Sequence, residues 1–349
     1  MMTDKNVTRF PAEWEEHDCV LLAWPHEESD WNYMLDEVRD CYTEIIKAIC
    51  EDERVLLLVP PHLDVARLVA ERGFDPERVK LLPVTTNDTW ARDFGPLTIE
   101  RDGHKELLDF KFNGWGLKFA ACHDNLINRA LDAAGAFGSP LVNRLNFVLE
   151  GGSVESDGNG TLMTTSECLM SPNRNGQCSR EDIEDFLKMQ FGVKQVLWID
   201  HGGIAGDDTD SHVDTLARLA PNDTIIYVGP KDDGDTGNLA MMREDIKRFR
   251  TLDGLPYNLI ELPMPDDIVE DGEILPATYA NFLITPRSIL LPVYNQPRKD
   301  TLAAQLLKIA FPDHEVKPID CRALIKQHGS LHCVTMQMPT GTVKPFDKF

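Results

Sequence analysis

A recurring order of elements constrains the fold of this chain more than any single motif does. Alternating β-branched runs, separated from helix-period runs at Gly, Pro and Asn breaks, read three times as strand, strand, helix, strand. The first unit places strands at 153–155 and 160–164, an amphipathic helix at Arg180–Phe191 and a strand at 194–199. In the second, strands at 215–219 and Thr224–Val228 precede a helix within 237–252 and a strand at 257–262. The third runs through 281–285, a turn at Pro286 and Arg287, Ser288–Val293, a helix over 301–310 and a strand at 315–319.

First strands at 153, 215 and 281, with a matching start at Leu97, give a period of about 60 residues, and such units bury their apolar faces only against one another. About five fit the 349 residues. A strand at 19–23, a helix at 34–49, a strand at 54–59 and a C-terminal strand around 331–336 complete a fifth unit if the chain ends pair, which would remove the exposed edges. The alternative is an open mixed α/β sheet. No low-complexity linker divides the chain, so 1–349 reads as one domain.

Composition narrows the partners. With 42% apolar residues the chain can build a sizeable core, while a net charge of −23 argues against binding a phosphate backbone and therefore nucleic acid. The N-terminus shows no apolar stretch of leader length, and no window approaches the ~20 apolar residues that span a bilayer, so a cytoplasmic protein without membrane contact is expected. The 8 cysteines form no CxxC pair, which suggests neither a zinc ribbon nor a disulfide scaffold.

Polar clusters sit at the same place in each unit, around the start of its first strand: Trp90-Ala-Arg-Asp93, Glu150-Gly-Gly-Ser153, His212-Val-Asp214, Tyr279-Ala-Asn281 and His332-Cys333. Arranged about an axis, they would bring Asp93, Glu150 and Asp214 to one imidazole and one thiol. Three anions in a dry pocket repel one another unless a cation offsets the cost, and a planar guanidinium with five N–H donors fits carboxylates better than an ammonium. A cation beside Cys333 would favour its thiolate and make it a nucleophile toward the guanidinium carbon. Each piece also has an ordinary structural reading: Cys333 as a core thiol, Glu150-Gly-Gly as a turn, Trp90 and Trp115 as core or pocket-wall aromatics. The acidic run 207–214 around His212 keeps a metal site open as a rival, whereas His328 and His332, four apart, flank what reads as a loop.

At these positions the sequence resembles the agmatine deiminases, related to bacterial-type peptidyl-arginine deiminases of the guanidine-modifying (pentein) superfamily. The resemblance covers the chain through 87–96, 112–116, 149–153, 173–175, 206–214, 279–282 and 328–333, with Ala23-Trp-Pro-His26 near the start. It implies an α/β fold, a five-bladed α/β-propeller of pseudo-symmetric ββαβ units, with no metal or other cofactor, and hydrolysis of a guanidine to a ureido group and ammonia. It also implies Cys333 as nucleophile, His212 as general acid and base, Glu150 beside His212, and Asp93 and Asp214 as guanidinium clamps. Ser211 and Gly176 stand where the family often has glycine and proline. Agmatine carries a second cation and no carboxylate; for its far end the candidates are Asp88, Asp208 and Trp90, with Trp115 beside the cation. The partner expected is a small cationic guanidine; a peptidyl-arginine or free-arginine substrate is the nearer alternative and a metal-dependent hydrolase the more distant one. A homodimer is expected from the resemblance alone.

Overall fold

The computed structural model describes residues 7–232, 234 and 236–349; the segment 1–6, on which the reading of the N-terminus rests, lies outside them. Five small sheets repeat one pairing pattern: a first strand antiparallel to a second, which is parallel to a third. Ala217–Ala220, Thr224–Val228 and Asn258–Leu262 form one such sheet, and Leu283–Ile284, Ser288–Val293 and Glu315–Asp320 another. Glu155–Ser156, Thr161–Thr165 and Gln195–Ile199 form a third. Leu97–Arg101, His104–Lys111 and Leu141–Val148 form a fourth, with Thr8–Arg9 added at its edge. In the fifth, Met336–Pro339 from the C-terminal end pairs antiparallel with His17–Ala23, which runs parallel to Val55–Val59, itself parallel to Val79–Pro83.

Each crossover between the second and third strands carries a helix, as parallel pairing requires. The helix Leu35–Cys50 buries Val38, Tyr42, Ile45, Ile46 and Ile49, spacings of three and four that put them on one face. Arg180–Phe191 starts at a capping box, in which Ser179 and Asp182 satisfy each other's backbone N–H, and stops at Gly192 with φ 69°. A Cβ at Gly192 would fall within 1.9 Å of the Thr8 carbonyl oxygen, so only glycine lets the helix end against that edge strand. Among the described residues no helix is long and apolar enough to cross a membrane.

The first strands begin later than the apolar pattern indicates. Gly151–Ser153 is a single 3-10 turn before the strand Glu155–Ser156, Val213–Leu216 is one helical turn before Ala217–Ala220, and the chain at 331–335 turns before Met336–Pro339. The third unit's first strand shrinks to Leu283–Ile284. A shared device explains three of these turns. The hydroxyl of Ser153 donates to the Glu150 carbonyl (2.6 Å), that of Thr215 to the His212 carbonyl (2.8 Å) and that of Thr335 to the His332 carbonyl (2.9 Å). Such local bonds compete with the strand ladder, so polar clusters expected at strand starts sit on tight turns instead.

Candidate active site

These turns aim their polar side chains at one place. Ala91–Phe94 carries Asp93, the Gly151–Ser153 turn follows Glu150, and Val213–Leu216, which starts immediately after His212, carries Asp214. Gly152 lies at the centre: its N–H donates to Asp93 Oδ1 at 3.0 Å, and a Cβ there would come within 2.6 Å of His212 Nδ1, 2.9 Å of Asp93 Oδ1 and 3.1 Å of Asp214 Oδ2. Glu150-Gly-Gly reads from sequence more often as a turn than as a site, and the chain does turn there.

His212 is wholly buried, with Nδ1 3.5 Å from Asp93 and Nε2 3.7 Å from Glu150. Burial opposes charge on this imidazole, but Asp93, then Cys168 and Glu150, hold its pKa well above the ordinary value. Glu150 receives two contacts from Arg174 Nε, at 2.8 and 3.0 Å, and Arg174 continues to Asp210 (2.5 Å) and the Thr209 carbonyl (2.8 Å). Burial would raise the Glu150 pKa; Arg174 and His212 outweigh it and keep the carboxylate ionised below its usual range. Asp214 is likewise lowered against burial, chiefly by His332, whose Nδ1 lies 2.7 Å from Asp214 Oδ2. Asp93 has N–H donors instead, Trp115 Nε1 at 2.9 Å and Gly152, and burial lifts it to about 6.

Cys333 is 4% exposed, and its Sγ lies 3.3 Å from Asn281 Oδ1. Burial first, then Asp214 and Asp93, push the thiol well above its ordinary pKa. Asn281 also accepts from the backbone N–H groups of His332 (2.9 Å) and Cys333 (3.3 Å), which fixes the 331–335 turn out of the ladder.

Cys333 and Asp93 open onto a cleft lined by Asp30, Asp88, Trp90, Trp115, Phe119, Asp208 and His328. All four residues expected at the far end or beside the cation, Asp88, Trp90, Trp115 and Asp208, are therefore in its wall, while His212, Glu150 and Asp214 stand behind it around Gly152. Burial and the neighbouring Asp30 push Asp88 up to about 7, and burial pushes Asp208 up to about 6. Trp90 packs against Trp31, and Gly329 leaves it room, since a Cβ there would meet the Trp90 ring at 2.1 Å. Trp115 sits at φ 53° in the Asn113-Gly-Trp-Gly turn, whose cap is Asn113 Oδ1 accepting from the Gly116 N–H. A larger hollow lies between the helix Leu35–Cys50 and the hairpin Ile268–Glu270 and Glu273–Leu275, but charges on its walls already pair, Arg72 with Asp40 and Lys326 with Glu37 and Glu270.

The acidic run divides its labour differently from a metal cage. Asp207 accepts from the Ser211 N–H (2.7 Å) and the Thr209 hydroxyl (2.6 Å), and Asp210 pairs with Lys118 and Arg174. Ser211 has φ 61°, a left-handed conformation that glycine would adopt without strain. His328 faces the Gly206 carbonyl and His332 faces Asp214, so the two do not converge. Glu150, Cys168 and His212 offer atoms within 4.8 Å of one another, with the Arg174 cation directly against the glutamate. The sequence reading left Arg174, Asn281, His332, Asp30 and Phe119 out of its site residues. Arg174 and Asn281 lie in segments already singled out, but no local pattern says which way they point.

The model of the Porphyromonas-type peptidyl-arginine deiminases matches residues 9–339. A relative from Marinomonas sp., provisionally named an agmatine deiminase, is 32% identical over 95% of this chain and 94% of its own. A provisionally named arginine deiminase from Porphyromonas gingivalis superposes with a TM-score of 0.90 at 48% identity, covering 97% of this chain and 100% of that one. A substrate-bound C. jejuni agmatine deiminase gives 0.88 at 35% identity, over 97% and 98% of the two chains. Sequence and fold agree along nearly the whole length, and the chain belongs to the Porphyromonas-type peptidyl-arginine deiminase family.

Proposed function

We propose that this protein hydrolyses agmatine to N-carbamoylputrescine and ammonia through a covalent amidino intermediate on Cys333. The pocket wall carries the reading: Asp30, Asp88, Asp93 and Asp208 line it with Trp90 and Trp115, and none of the described lining residues is a lysine or arginine. A dication without a carboxylate suits such a wall, because it offsets repulsion among the acids and offers cations to the indole faces. Free arginine would bring its α-carboxylate to the same acidic rim, where the nearby Lys118 ammonium is already paired with Asp210 and the Asp208 carbonyl.

In this mechanism the bound guanidinium supplies the positive charge that Cys333 otherwise lacks, and the thiol proton leaves to solvent. The thiolate adds to the guanidinium carbon, and the His212 imidazolium protonates the departing ammonia. Neutral His212 then takes a proton from water, whose oxygen attacks the amidino carbon; the C–S bond breaks, the ureido product forms, and a second proton leaves to solvent. Asp93 and Asp214 hold the carbon in line with sulfur, and Glu150, kept ionised by Arg174, sustains the charged form of His212.

The same reading takes the five sheets as blades of a closed α/β-propeller forming one domain over 1–349, and the enzyme as a cytoplasmic homodimer that uses no metal. The test is a ureido-product and ammonia assay on purified protein with agmatine, arginine and a blocked arginine peptide, each with and without EDTA. Chelator-insensitive turnover of agmatine alone supports the proposal. Preference for arginine or the peptide keeps the chemistry and overturns the substrate, and loss of activity in EDTA overturns the metal-free mechanism.

A further inference from the structure

Behind the site, ionisable side chains from four distant parts of the chain form a buried row. Arg218, with no exposed surface, meets Glu155 Oε1 at 2.5 Å, Glu13 Oε2 at 2.6 Å and the Phe282 carbonyl at 2.5 Å. Glu13 spends its other oxygen on the Ile284 N–H at 2.9 Å, so its position is fixed from both ends. The same Glu13 Oε2 lies 2.7 Å from His332 Nε2, and His332 Nδ1 lies 2.7 Å from Asp214 Oδ2. Each nitrogen of the His332 imidazole thus faces a carboxylate oxygen, Asp214 Oδ2 on one side and Glu13 Oε2 on the other. Arg218 Nη2, 3.1 Å from His332 Nε2, then shares the Glu13 oxygen as a second donor.

The consequence falls on Asp214. Its Oδ2 is held by His332, while its buried Oδ1 has no hydrogen-bond partner. Asp93 differs, since both its oxygens already accept N–H bonds from the protein. We infer that His332 is a positioning residue that, anchored by Glu13, turns Asp214 so that Oδ1 faces the guanidinium. Although it neighbours Cys333 in sequence, its ring points away from the cleft and acts through the clamp. The inference rests on the proposed guanidine chemistry.

Two substitutions separate positioning from core filling. In His332→Asn the amide nitrogen falls where Nδ1 stood and keeps the donor to Asp214; in His332→Gln it falls near Nε2 and serves Glu13 instead. The inference expects His332→Asn to retain kcat/KM for agmatine within about tenfold and His332→Gln to lose about a hundredfold, with the loss shared between KM and kcat. Equal losses in both variants, or a larger loss in the asparagine variant, overturn it. If neither folds, Glu13→Gln decides. In a Cys333→Ala background, where substrate is not consumed, methylguanidine titrated against tryptophan fluorescence should bind several-fold more weakly to the Glu13→Gln protein, and unchanged binding overturns the relay. Methylguanidine has no second cation, so this result stands apart from whether agmatine is the substrate.

Discussion

The two walls of the site use the same side chain to opposite ends. In the cleft wall, burial lifts Asp88, Asp93 and Asp208 to about 7, about 6 and about 6, even though His212 lies 3.5 Å from Asp93 and Lys118 donates to the Asp208 carbonyl. Behind Gly152, Glu13, Glu150 and Asp214 are buried too, yet each is held below the usual carboxylate range because Arg218, Arg174 or His332 outweighs desolvation. Carboxylates behind the site already have their cations. In front, Asp88 lies near Asp30 instead, so burial alone does not set the state of a buried acid; its neighbours do.

The thiol where the two walls meet should give the largest effect. Cys333→Ala should lower agmatine turnover by at least ~10⁴-fold without lowering Tm, read by product assay and thermal melt; substantial residual turnover would remove Cys333 from the nucleophile role. The back wall is tested by Arg174→Met, which strands Glu150 as an unpaired buried charge. A loss of about 3–5 kcal/mol in chemical denaturation is expected, and a stability change below about 1 kcal/mol would show that the pair does not sustain the wall. Where the walls touch, Gly152→Ala forces a methyl against His212, Asp93 and Asp214; kcat should fall about a hundredfold or more with the fold retained by circular dichroism.

The front wall predicts the smallest change, with a defined sign. Groups with raised pKa are protonated below about 6 to 7 and lose their pull on a cation there, so agmatine binding to Cys333→Ala should tighten roughly tenfold from pH 6 to pH 8. In Asp88→Asn that pH dependence should shrink, and agmatine affinity should fall more than that of methylguanidine, as measured by calorimetry. A flat profile in the parent protein would mean that the front acids are ionised before substrate arrives.

Much of this arrangement was legible beforehand, and the failures have a common cause. The helix Arg180–Phe191 and the strands Thr224–Val228 and Ser288–Val293 match their patterns because local amphipathicity and turn residues decide them. The strand starts at 153, 215 and 331 were missed because Ser153, Thr215 and Thr335 each bond a carbonyl three residues back, a choice that hydrophobic alternation does not record. The recurring pattern of a polar residue followed three positions later by serine or threonine, as in Glu150-Gly-Gly-Ser153 and His332-Cys-Val-Thr335, was the available signal. Arg174 and Glu13 were missed for another reason: their meaning lies wholly in partners 24 residues away for Glu150 and 205 away for Arg218.

By itself the sequence determined the repeated strand and helix order and the chemical kinds at the centre, three acids, an imidazole and a thiol, because these follow from local periodicity and side-chain chemistry. Only the tertiary structure decided which acids are already neutralised and which stand ready for a cation. That distinction depends on where arginines and histidines from remote turns arrive, and charge interactions act across space rather than along the chain.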